Sequence, residues 1–226
     1  MGLISMRFSE SMRQFDESNT LKPERLKKRR EAGDCILDNF MSWWLNPRSA
    51  EYKYLGAFSL SNKLFYEAVR CYEYGLFEEA MITIRDAIDA ALFFAVNYIP
   101  SPNAGKFNTD LIPSGERNKD DSLKDNWDYI KQRAIELHIL DKDEIDRINK
   151  LRDIGNFSAH LASRQGKQLL KYSKKLVEGK SWKEITGELE RGPFISEGDS
   201  GKKLEEASKH LTLIRKRYFD HYIEPK

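Results

Sequence analysis

The sequence predicts an all-α fold, a helical bundle, from three observations. Apolar residues recur at intervals of three and four over long stretches. No strand-like alternation of convincing length occurs, and Gly75, Pro100 and Pro102 fall between the periodic stretches. Of the 226 residues, 40% are hydrophobic and 12% aromatic, which supplies a core. A chain of this length hides about 70% of its unfolded surface.

Residues 1–21 are polar and without sustained period, and are expected to form a loose arm. Residues 22–60 are expected to form an N-terminal helical extension. Pro23 suits a first helical turn, where its missing N–H is not needed. From there Leu26, Cys35, Ile36, Phe40, Trp43 and Trp44 make an apolar stripe. One tryptophan is expected in the core and the other at an interface. The basic run Lys27-Lys28-Arg29-Arg30 reads as a solvated helix face. A second helix is predicted over 61–74, with Leu64, Ala68, Cys71 and Tyr72 at helical spacing. Gly75 ends it as a left-handed residue. A third, over 76–98, carries Phe77, Ala80, Met81, Ile84, Ile88, Ala91, Leu92 and Ala95 on one broad face. Two long helices joined by one glycine predict an antiparallel hairpin.

Residues 100–121, rich in Pro, Asn, Gly and Asp, read as an exposed loop. Helical period returns over 123–137 and, after a turn at Leu140-Asp141, over 144–161. Residues 162–200 read as an insertion, with Gly198-Asp199-Ser200-Gly201 turn-like. A last helix is predicted over 202–222.

Composition narrows function by exclusion. The 38 basic and 36 acidic residues leave a net charge of +2, which gives no argument for nucleic acid. Two cysteines, Cys35 and Cys71, exclude a disulfide scaffold and a four-cysteine zinc site; a reducing, cytoplasmic compartment is expected. No apolar run approaches the ~18 residues that span a bilayer, so no membrane partner is expected. The opening Met-Gly-Leu-Ile-Ser-Met lacks the apolar length of a signal peptide. Met6 also stands where a myristoylation motif wants Ser or Thr. The four histidines show no metal-ligand spacing, and no glycine-rich phosphate loop is present, so neither a metal nor a cofactor is expected. A lone histidine here reads as a surface or capping residue.

One segment stands apart: Leu151-Arg152-Asp153-Ile154-Gly155-Asn156-Phe157-Ser158-Ala159-His160. Arg152, Asn156 and His160 are four apart, and each such step turns only about 40° around a helix, so the three form one polar stripe. Cation, amide and imidazole on one face can hold a phosphate and move a proton. The same residues can equally serve packing, with Arg152 paired to Asp153 or a neighbouring helix and His160 at the negative helix end. Gly155 suits a close approach to the backbone. Arg85 and Asp89, also four apart, can pair within their helix at the edge of its apolar face, where polar contacts inside a bundle arise.

These two places resemble the HEPN superfamily of helical domains, in its uncharacterised bacterial branch. The hairpin signature reads Glu67-Ala68-Val69-Arg70-Cys71-Tyr72-Glu73-Tyr74-Gly75-Leu76-Phe77-Glu78-Glu79-Ala80, then Ile84-Arg85-Asp86-Ala87-Ile88-Asp89. The second signature runs from Leu151 to His160, and the last helix resembles the domain's closing helix. The resemblance covers roughly 61–160 and 202–222. It implies an HEPN-like domain over 61–226, with the insertion at about 162–200. The hairpin alone also resembles a tetratricopeptide unit, but no repeat at ~34 residues follows.

What the resemblance implies is a homodimer with the Arg152–His160 face near its two-fold axis. In nuclease members an arginine, a polar residue and a histidine cleave RNA without metal. Carried over, His160 is the general acid or base, Asn156 the polar residue and Arg152 the charge stabiliser. Arg85 and Asp89, from their place at the edge of the apolar face, are the candidate binding residues. The arginine directly before the polar residue is Gly155 here. That departure favours a non-catalytic module binding RNA, a nucleotide or a partner protein over a metal-independent ribonuclease of a toxin or defence system.

Overall fold

The computed structural model describes residues 23–42, 56–101, 111–159 and 195–222. The predicted arm 1–21, Trp43, Trp44, His160 and nearly all of the predicted insertion lie outside these described residues. Within them the fold is all-α: six helices and one small two-stranded ribbon.

Helix α1 (Pro23–Ser42) presents Arg29, Gly33, Ile36 and Phe40 inward, at spacings of four, three and four. Cys35, expected on the apolar stripe, is exposed. The basic run is not one solvated face. Lys27, Lys28 and Arg30 are exposed, whereas Arg29 is 5% accessible. Its Nη2 donates to Glu197 at 3.0 Å, and its guanidinium lies 5.0 Å from the Phe77 ring centroid.

A short 3-10 turn (Gly56–Phe58) leads into α2 (Ser59–Glu73), and α3 (Phe77–Asn97) returns antiparallel to it as the predicted hairpin. Gly75 has φ +81°. Leu76 N donates to Cys71 O at 2.8 Å and Gly75 N to Tyr72 O at 2.9 Å, the paired bonds of a Schellman ending. Cys71 is buried on α2, and burial pushes its thiol up to about 12.

Helix α3 is the hub, packing against α2, α5, α6 and α4. Its buried Ala80, Ile84, Ala87, Ile88, Ala91, Leu92 and Ala95 supply the centre of the core. At its end β1 (Tyr98–Pro100) pairs antiparallel with β2 (Leu111–Pro113), Ile99 opposite Ile112. The loop predicted over 100–121 therefore includes a strand. Buried Asn97 fastens the segment after it: its carbonyl accepts from Ser114 N and Gly115 N, and its Nδ2 donates to Lys124 O at 3.1 Å.

Helix α4 (Trp127–Glu136) starts four residues later than its period suggests, because Asn126 caps it, Oδ1 accepting from Tyr129 N at 2.9 Å. Helix α5 (Lys142–Ala159) opens on a capping box. Asp141 Oδ1 accepts from Glu144 N, and the Glu144 carboxylate accepts from Asp141 N. Helix α6 (Glu197–Tyr222) corrects the expectation of a turn at Gly198-Asp199-Ser200-Gly201, which is helical. Ser196 Oγ caps Asp199 N at 3.1 Å, and Arg25 and Arg29 both donate to Glu197 in the first turn. Those hydrogen bonds, Arg29's first, hold the Glu197 carboxyl below its ordinary range. His210, expected at the surface or a helix end, is buried on α6, and desolvation lowers its pKa. No helix among the described residues is long and apolar enough to cross a membrane.

Candidate functional site

Four of the predicted residues, Arg85, Asp89, Arg152 and Asn156, meet where α3, α5 and α4 converge. Apolar packing between α3 and α5 sets their distance, and Gly155 permits it. A methyl group there would stand 2.7 Å from both Met81 O and Arg85 Cβ on α3. With the backbones this close, polar side chains beside the glycine must meet across the seam.

They meet as two cross-helix pairs. Arg152 on α5 grips Asp89 on α3 with both arms, Nε to Oδ1 at 2.6 Å and Nη2 to Oδ2 at 3.0 Å. Such planar two-point pairing is the strong form of the ion pair. The guanidinium carbon also lies 3.6 Å from the Trp127 ring centroid. Trp127 in turn donates from Nε1 to Asn149 Oδ1 at 2.7 Å, which fixes the indole on α5. In the second pair Arg85 Nη1 donates to Asn156 Oδ1 at 3.1 Å, while Nε and Nη2 hold Asp86 Oδ1 at 3.0 and 2.6 Å.

The expected Arg85–Asp89 pair within α3 is thus not the one that forms. Asp89 takes its cation, Arg152, from α5, whereas Arg85 pairs with its α3 neighbour Asp86 and reaches α5 through one hydrogen bond to Asn156. Arg152, Asn156, Arg85 and Asp89 are brought together; His160 lies outside the described residues. Arg152 is satisfied within the monomer, its side chain 15% accessible against 35% for Asp89.

Beside the Arg152–Asp89 pair opens a cleft of about 410 Å³. Phe93, Phe94 and Ala90 continue from Asp89 along α3, Trp127 and Ile130 come from α4, and Leu60 stands 43% exposed at the rim. Asp125, exposed, also lines it and makes no ion pair among the described residues. Asp89, Asp125 and Arg152 sum to one negative charge. The surface suits an apolar body and is unfavourable to an anion.

Sequence reasoning missed Trp127, Asn149, Asp86 and the aromatic wall. A signal for the wall exists, since Asp89–Phe93 and Ala90–Phe94 are four apart and so extend the seam. Trp127 carries none, because its contact with Arg152 depends on how α4 docks. Among the described residues no group of three His, Cys, Asp or Glu side chains is placed to hold a metal ion. Comparison of the chain with protein-family models, with curated proteins and with solved structures finds no match.

Proposed function

We propose that the protein is a non-catalytic, HEPN-like helical module that acts as a homodimer and binds a partner protein through the cleft beside Asp89 and Arg152. One observation carries this reading: Arg152 is neutralised by Asp89 and stacked on Trp127. A catalytic arginine must bring unspent charge to a developing phosphorane, and this one already has a carboxylate. Asn156 is likewise occupied by Arg85. The negative sum of the cleft disfavours RNA and nucleotide phosphates as occupants and leaves a protein surface as the better match.

The test uses the full chain and a His160→Ala variant, incubated with mixed single-stranded RNA in excess chelator. Neither protein is expected to cleave, and sedimentation is expected to show a dimer for both. Cleavage to cyclic-phosphate ends by the wild type alone would replace this reading with a metal-independent ribonuclease using His160.

A further inference from the structure

The cleft has a chemical preference that its own wall displays. Its surfaces already hold one guanidinium, that of Arg152, between a carboxylate and an indole face. Two unspent features lie beside it. A carboxylate accepts about four hydrogen bonds, and Arg152 takes only two of those Asp89 offers. Asp125 contributes a second carboxylate without an ion pair among the described residues. Phe93, Phe94 and Leu60 line the same cleft, apolar surface of the kind that covers the carbon stem of a long cationic side chain.

We infer that the cleft receives an arginine or lysine side chain of a partner protein, the stem along Phe93 and Leu60 and the charged head at Asp125 and Asp89. The inference rests on the reading of the protein as a binding module and deepens it by naming what is bound. Charge complementarity selects the occupant: the cleft is short of one positive charge. Aromatic faces strengthen the preference, since ring quadrupoles attract cations. A protein side chain fits better than a free amine because Leu60, lining the cleft yet 43% exposed, leaves apolar surface that the residues flanking a cation also cover.

The experiment titrates the isotope-labelled full chain with three probes: a blocked Leu-Arg-Leu tripeptide, its Leu-citrulline-Leu counterpart, and agmatine. Citrulline keeps the shape of arginine and removes its charge. The arginine peptide is expected to shift the Trp127 indole N–H resonance and to bind at least tenfold more tightly than the citrulline peptide. Asp125→Asn, at an exposed position, is expected to fold normally and to weaken the arginine peptide at least fivefold. Equal affinity for the two peptides, an unchanged affinity in Asp125→Asn, or no binding would overturn the inference. Agmatine binding as tightly as the peptide would also overturn it, by making the occupant a small amine. RNA cleavage in the assay above would sink the non-catalytic reading while leaving this titration to be judged alone.

Discussion

At Gly155 a methyl group would collide with the Met81 carbonyl, whereas at Gly198, also helical, nothing lies within 4 Å. The two positions therefore predict opposite signs for the same substitution. Gly155→Ala is expected to lower stability by roughly 1–3 kcal/mol, because α3 and α5 must move apart. Gly198→Ala is expected to raise it by up to about 1 kcal/mol, through helix propensity alone. Urea melts of both variants check this, and Gly155→Ala melting like the wild type would mean the seam is looser than described. Across that seam, Arg152→Leu and Asp89→Asn each leave a partly buried partner short of its bonds, at about 1–3 kcal/mol apiece. The double variant should lose clearly less than the sum, which a double-mutant cycle measures. Additive losses would show that the two side chains do not support each other.

Helix α5 begins where Asp141 and Glu144 cap one another, and Glu144 also receives the Arg217 guanidinium from α6. Asp141→Ala removes the cap alone and is expected to cost about 0.5–2 kcal/mol. Glu144→Ala removes the returning bond and the tie to α6 together, so its thermal midpoint should fall further. The reverse order would show that Arg217 contributes little. Helix starts are also where sequence reading and structure differ most. Helices α2 and α3 and the Gly75 ending are legible because apolar period and a left-handed glycine are local properties. The start of α6 was misread. Gly198 and Gly201 look like breakers, yet Ser196, Asp199 and two arginines from α1 outweigh them. The Ser196 cap was visible in the sequence; the arginines, more than 160 positions away, were not.

The response of the whole molecule to acid follows from two buried or paired groups acting in separate windows. His210 is desolvated on α6, with Glu206 and Glu144 favouring its charged form and Arg147 and Lys203 opposing it; burial dominates and depresses its folded pKa. Below the ordinary value of 6.5 the unfolded chain therefore binds a proton more readily than the folded one. Stability is expected to fall as pH drops through 6.5, and His210→Gln should flatten that part of the profile. Glu197 acts lower. Its carboxyl is depressed from 4.5, so its contribution is present above that value and is lost as pH falls below it. Denaturation midpoints at a series of pH values resolve the two windows; a His210→Gln profile parallel to the wild type would refute the first. The same distinction explains how much of the site was readable. Spacing placed Arg152 and Asn156 on one face of α5, a local fact. It could not choose between a phosphate and α3 as their partner, because that depends on which helix the glycine admits.

The unequal settings of the two cysteines turn the chain into its own unfolding sensor. Cys35 is open to solvent while Cys71 is enclosed and keeps its proton. A thiol-alkylating reagent at neutral pH should therefore add a single tag to the native protein, and the second only at the rate at which α2 is released. Intact mass recorded against time then reports the opening of the hairpin without any introduced label.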